Sequence, residues 1–108
     1  MNMSEVWHSV CARDEVQAGA MLPIEIGDMH IAVYNVDDEY FATDNICTHG
    51  FALLTDGFLD GDSVECALHG GCFNIRTGKA LCEPVDVDLR TFRTRLVDDR
   101  VEICIDGG

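Results

Sequence analysis

The 108 residues carry 20 acidic side chains against seven basic ones, a formal charge of −13, with 47% hydrophobic and 25% charged residues. That length suits one domain with a single core, and the balance is that of a folded globular chain rather than a disordered one. So acidic a surface is expected to repel nucleic acid and anionic membranes, which bind through phosphate neutralisation by Lys and Arg, and to favour basic protein surfaces.

The opening "MNMSEVWHSV" has no basic segment leading into an apolar run. No apolar stretch reaches the length of a bilayer span, so the expected location is the cytoplasm. "EVWHSV" (5–10) alternates Val6, His8 and Val10 against Glu5, Trp7 and Ser9 and reads as a strand, with Trp7 expected as a core anchor. "RDEVQAG" (13–19) is expected to make one turn before Gly19. "LPIEIGDMHIAVYNVDDEYFATD" (22–44) reads as three strands of a meander, turning at Gly27-Asp28 and Asp37-Asp38.

The texture changes over residues 45–84, where Gly50, Gly57, Gly61, Gly70, Gly71 and Gly78 precede Pro84. Such a run predicts loops whose backbone turns tightly or approaches another group closely. Phe51, Leu53, Leu54 and Phe58 are expected to pack this lobe. The chain then closes on "LRTFRTRLVDDRVEICID", a predicted hairpin in which Phe92, Leu96, Val101, Ile103 and Ile105 fall at mostly period-two spacing around Asp98-Asp99. No segment keeps a 3.6-residue apolar period long enough for a helix. The expected fold class is all-β, with residues 1–108 forming one domain. Its base is an antiparallel β-sandwich or barrel (about 4–44 and 85–105), into which a loop-rich lobe (about 45–84) is inserted.

That lobe holds two ligand pairs, Cys47-Thr48-His49 and Cys66-Ala67-Leu68-His69. Six cysteines in so short a chain would allow a disulfide framework, but nothing in the sequence points to an oxidising compartment, and metal ligation is the alternative. Ligands of types S, N, S and N suit tetrahedral zinc or an iron–sulfur site. Structural zinc sites usually group like ligands. Here the single residue between Cys47 and His49 makes convergence on one ion awkward. The gap is natural when the two side chains reach different metals, one buried and one near the tip.

The C-x-H…C-x-x-H pattern, with 16 residues between the pairs and Gly50 and Gly70 just past the histidines, resembles the Rieske [2Fe–2S] signature. The stretches "ATDNICTHG" and "FLDGDSVECALHGGCFNIRTGKALCEPV", with the closing hairpin, are similar to the small Rieske ferredoxins of bacterial aromatic-ring-hydroxylating dioxygenases. The resemblance implies a Rieske fold and one [2Fe–2S] cluster, with Cys47 and Cys66 on the inner iron and His49 and His69 on the outer one. It also gives Pro84 a role, in a loop covering the cluster opposite the two ligand loops.

Two ferric ions, two sulfides and two thiolates sum to zero charge, which places His-ligated clusters above all-cysteine ones, between about −150 and +300 mV. High-potential Rieske proteins add a bridged cysteine in each loop and Ser and Tyr hydroxyls donating to the sulfurs. Here "HGFALL" has no cysteine, Leu68 takes the second cysteine position, and Gly71 and Phe73 stand where the hydroxyls would be. With fewer donors the low end is expected, about −150 mV.

The sequence shows no Gly-rich βαβ unit, no room for a flavin domain and no 2-His-1-carboxylate iron site, so an electron carrier without a catalytic site of its own is expected. By resemblance, a flavin-containing, NAD(P)H-dependent ferredoxin reductase supplies the electron and a Rieske nonheme-iron oxygenase receives it. Both would be transient partners of a monomer, meeting its His49/His69 edge. Two alternatives stand beside this: a small Rieske subunit of a nitrite reductase, permanently partnered, and a zinc-stabilised β-domain for protein contacts. Cys72 and Cys82 fit no ligand position; the sequence allows a disulfide between them, and packed free thiols are expected. Cys11 and Cys104 read as structural, and His8 and His30 as strand residues without a role.

Overall fold

A computed structural model of the chain describes residues 5–48, 52–68, 70–83, 85 and 87–106. The described residues form three antiparallel sheets and two single-turn 3-10 helices, with no α-helix among them. The all-β expectation is met. The first sheet joins β1 (Glu5–Ala12), β10 (Thr94–Val97) and β11 (Arg100–Asp106) in the order β1-β11-β10. The second takes β2 (Met21–Ile26), β3 (Met29–Val36), β4 (Glu39–Asp44) and β9 (Thr91–Phe92) in chain order. The third is a small meander of β5 (Phe58–Asp60), β6 (Ser63–Glu65), β7 (Cys72–Asn74) and β8 (Ala80–Cys82).

The turns explain the meander. Asp37 and Asp38 have φ of 52° and 67°, and Asp98 and Asp99 have 51° and 63°. Two consecutive left-handed residues make the tight turn whose twist matches paired strands, and Asp tolerates that region better than most residues. Asn35 fastens the first turn by accepting from the Asp38 N–H at 2.8 Å. The 3-10 turn Arg13–Glu15 and the positive φ of Gly19 match the single turn expected there.

β3 organises the interior. Ala32 and Tyr34 pack into one buried cluster with Cys47, Leu54, Val64, Cys66, Phe73, Val85 and Leu89. Ile31 and Val33, pointing the other way, pack with Cys11, Val101 and Ile103 of the first sheet. The middle sheet thus has a core on each face, and the 45–84 segment sits directly on the Ala32/Tyr34 side.

Some expectations are corrected. Phe92 does not extend the closing hairpin; it pairs with Ala42 in the middle sheet, while Thr94 pairs with Ile103 in the first. The chain crosses between sheets at Arg93, so the period-two pattern there spans two strands. Trp7 is half-buried rather than a core anchor, its ring covered by the guanidinium groups of Arg93 and Arg95, the latter 4.0 Å from the centroid. Phe58 lies on β5, at the edge of the small sheet, and is 63% exposed rather than packed. Leu54 is fully buried and Leu53 half-buried, while Phe51 lies outside the described residues. Cys11 and Cys104 are buried on β1 and β11. His8 is half-buried, and His30 sits on the surface 3.4 Å from Glu25.

Tyr34 makes one testable contribution. Its hydroxyl meets Thr43 Oγ1 at 2.8 Å, and because that hydroxyl donates onward to the Asp44 carbonyl, Tyr34 must donate to it. Burial pushes the Tyr34 phenol well above its ordinary range. A phenol raised on folding contributes stability fully below its unfolded pKa of about 10, and that contribution is lost as pH rises beyond it. Tyr34→Phe is therefore expected to cost about 1 kcal/mol at neutral pH. Above pH 10 the wild type should lose up to about 1.4 kcal/mol per pH unit relative to the variant. Urea denaturation of both proteins between pH 8 and 11.5 measures the difference.

Candidate metal centre

The first ligand loop leaves β4 at Asn45, a fully buried side chain that holds the loop shut. Its carbonyl accepts from Leu54 N–H at 2.7 Å, its Oδ1 from Thr55 N–H at 3.0 Å, and its Nδ2 donates to Thr55 Oγ1 at 3.0 Å. Ile46 and Leu53 form an antiparallel bridge, and Cys47 N–H donates to the Ala52 carbonyl at 2.9 Å. Cys47 therefore stands at the base of a closed loop.

The second loop repeats the plan between β6 and β7. Cys66 N–H donates to the Gly71 carbonyl at 2.7 Å, and the Cys66 carbonyl accepts from Gly70 N–H at 3.0 Å. Gly70 takes a left-handed φ of 75° to make the return. Again the cysteine is the base residue. A third segment, after β8, leans on the first loop, where Thr48 Oγ1 donates to the Val87 carbonyl at 2.7 Å, and is tied back to β8, where Asp88 accepts from Ala80 N–H at 2.9 Å.

The loops meet closely enough to exclude side chains. A Cβ on Gly57 would lie 2.0 Å from the Glu65 carbonyl oxygen and 3.2 Å from the Ala67 nitrogen. A Cβ on Gly71 would lie 2.5 Å from a Val85 methyl. Glycine at these two positions is set by packing, since neither has a positive φ.

Cys47 and Cys66 are 4% and 2% exposed and belong to one apolar cluster. Two thiolates placed there alone would be costly to bury, and a cationic group shared between them removes that cost. Two buried sulfurs, each at the base of a tied loop, thus fit the inner half of a Rieske cluster. His49 and His69 lie outside the described residues, as does Pro84, and among the described residues no three metal-ligating side chains converge. Val85, next to Pro84, is buried against Gly71 and the same cluster.

The stretch of chain that carries both loops is acidic. No Lys or Arg occurs between Arg13 and Arg76. Of the basic residues, Arg13, Arg76, Arg93 and Arg95 are engaged in ion pairs with Asp99, Asp62, Glu5 and Glu102. Beside the loops, an open groove is lined by Ala52, Leu53, Asp56, Ala67 and Leu68, with Leu68 58% exposed. Reasoning from sequence did not single out Asn45, Thr48 or Gly57's close approach to the second loop. The one available signal was the glycine density of the lobe, which marks close approach without naming the partner.

Comparison with known proteins bears on this geometry directly. The Rieske [2Fe–2S] domain matches residues 6–93. The chain belongs to the Rieske family. Within it, this Rieske chain is 43% identical over 104 residues to the ferredoxin component of a 2,4-dinitrotoluene dioxygenase system from Burkholderia sp. (strain RASC), covering 96% of this chain and 100% of that one. It is similar in structure, with a TM-score of 0.89 and 38% identity, to a chain from the complex of reduced oxygenase and oxidized ferredoxin in carbazole 1,9a-dioxygenase, covering 95% of this chain and 96% of that one. A small-subunit structure assigned to an NADH-dependent nitrite reductase of Mycobacterium tuberculosis overlays at a TM-score of 0.85 but only 20% identity, covering 96% and 98%, a likeness of fold alone. The Rieske chain carries a [2Fe–2S] cluster as its family's cofactor, and the zinc-stabilised alternative falls away.

Proposed function

We propose that the chain is a low-potential one-electron carrier. Cys47 and Cys66 hold the inner side of its [2Fe–2S] cluster, and His49 and His69 the outer side, in a cluster-binding lobe over about 45–84. The observation that carries this reading is the pair of buried cysteines at the bases of two mutually packed loops. When bound, the cluster supplies a one-electron couple. The protein's part is to fix the backbone at Cys47 and Cys66 through the Ala52 and Gly71 carbonyls and to keep water from their sulfurs with Leu54, Phe73 and Val85.

The electron is taken from a flavin-containing, NAD(P)H-dependent ferredoxin reductase and delivered to the terminal oxygenase of a ring-hydroxylating system. A ferredoxin of the same fold and 38% identity has been captured with its oxygenase, which supports that partner. The nitrite reductase role has only fold-level likeness behind it. A monomer meeting both partners briefly in the cytoplasm fits the −13 charge, which steers encounter without a large permanent interface. None of the described helices is long and apolar enough to cross a membrane.

Purified protein is expected to be brown, reducible by dithionite, and to give the rhombic electron paramagnetic resonance signal of a nitrogen-ligated cluster. Its midpoint should lie at about −150 mV, because Leu68, Gly71 and Phe73 offer no hydroxyl or thiol to the sulfurs. His49→Cys should give a cluster shifted toward about −400 mV, or none. A colourless, zinc-containing protein, or a midpoint near the upper end of the Rieske range, would refute the proposal.

A further inference from the structure

We propose that Cys72 and Cys82 form a second redox site, a cross-strand dithiol that closes to a disulfide when a hydroperoxide reaches it. The two cysteines stand directly opposite each other in the pairing of β7 with β8, so both side chains leave the same face of the small sheet. Opposed residues of antiparallel strands hold their Cα atoms about 4.5–5.5 Å apart, within the range that a disulfide spans. A bulge immediately after Cys72 breaks the ladder there and gives the backbone room to adjust. The Cys72 thiol reaches the Gly70 carbonyl at 3.5 Å, and the Cys82 sulfur is near enough to perturb it. The pair is unbridged in the structure. Cys82 is exposed rather than packed, which corrects the sequence expectation, and Cys72 is half-buried beneath it.

The pair is separate from the other cysteines. Cys47 and Cys66 are buried in the lobe core, and Cys11 and Cys104 lie on β1 and β11. Solvent reaches Cys82 first. Being the exposed member of the pair, Cys82 is the attacking sulfur, while burial, the neighbouring Cys82 sulfur and the Glu65 carboxylate push the Cys72 thiol up to about 11. The Cys82 sulfur attacks the terminal oxygen of the hydroperoxide, the O–O bond breaks, an alcohol (water, for hydrogen peroxide) departs, and Cys82 becomes a sulfenic acid. Cys72 then displaces the sulfenic oxygen, the S–S bond forms, and water leaves with the Cys72 proton. Two thiols lose two electrons in all, and one hydroperoxide gains them.

The location gives the closure a consequence. β7 begins where the second ligand loop ends at Gly71, and β8 runs into the segment whose Val85 packs on Gly71. A bond between Cys72 and Cys82 ties those two segments together beside the metal centre. This inference does not depend on which partners the carrier serves.

Phenylarsine oxide, which needs two adjacent thiols, is the first probe. Reduced holoprotein is expected to bind one equivalent, and Cys72→Ser or Cys82→Ser to weaken binding at least about tenfold, with the visible spectrum retained in both variants. Hydrogen peroxide should then remove two alkylatable thiols from the wild type and link the Cys72 and Cys82 peptides, reversibly with dithiothreitol and without bleaching. Arsenical binding unaffected by either substitution would overturn the proposal. So would linkage involving Cys47 or Cys66, or sulfinic acid at Cys82 with no link formed.

Discussion

Gly57→Ala is expected to yield protein that has lost most of its visible absorbance and unfolds at lower denaturant. The glycine follows the single turn Leu54–Asp56 and donates its N–H to the Leu54 carbonyl at 2.9 Å. Its φ is −94°, so alanine brings no left-handed strain. The obstacle is backbone: the new methyl would lie 2.0 Å from the Glu65 oxygen and 3.1 Å from the Glu65 carbonyl carbon. No rotamer change relieves a clash with main chain, so the two ligand loops must part. Between Glu65 and Ala67 stands Cys66, whose sulfur must stay in register with that of Cys47. Overpacking costs about 1–3 kcal/mol where side chains can give way, and this site sits at the upper end because they cannot. Gly61→Ala is the control. Its φ of 57° carries strain of about 1–2 kcal/mol, but open space surrounds it, so the protein should weaken yet stay brown. Equal cluster content in the two variants would show that the Gly57 contact does not hold the loops in register.

The same contact shows what could be read before the fold was seen. The meander of β2, β3 and β4 was legible because Gly27-Asp28 and Asp37-Asp38 announce turns by chemistry local to the residues themselves. Cys47 and Cys66 stood out as a repeated pattern in the sequence, and the fold buries both at the bases of tied loops, while His49 and His69 lie outside the described residues. Asn45 was not legible, since nothing in "TDNIC" distinguishes a solvated asparagine from one that closes a loop with Leu54 and Thr55. Phe58 and Trp7 failed for a related reason. Whether an aromatic residue on an edge strand has its outer face covered depends on distant chain: Trp7 received Arg93 and Arg95, and among the described residues Phe58 received nothing comparable. Phe92 shows the limit of periodicity, which continues smoothly through Arg93 although the chain changes sheets there.

Leu68→Ala should weaken productive encounter with the redox partners about tenfold while leaving the midpoint potential and the stability in place. Leu68 stands on the second ligand loop one residue before His69, 58% exposed, beside the groove of Ala52, Leu53 and Ala67. A leucine that contributes this little to its own fold is within about 0.5 kcal/mol of neutral when truncated. Against a partner the position differs, because the apolar groove is bordered by the Asp56 carboxylate and no basic residue lies between Arg13 and Arg76 in the chain. An apolar centre with a charged rim is the usual division of labour at a brief interface: the rim steers, the centre holds. Covering a leucine fully is worth about 1.5–3 kcal/mol, and the alanine retains part of that, leaving about 1.4 kcal/mol, a factor of ten. Because no charge changes, the salt dependence of the rate should run parallel to that of the wild type. Asp56→Lys should do the reverse, flattening the salt dependence and changing the low-salt rate most. Steady-state reduction by the reductase and delivery to the oxygenase, each measured from low to high ionic strength, separate the two. If Leu68→Ala leaves the KM for both partners unchanged, this tip is not where they dock.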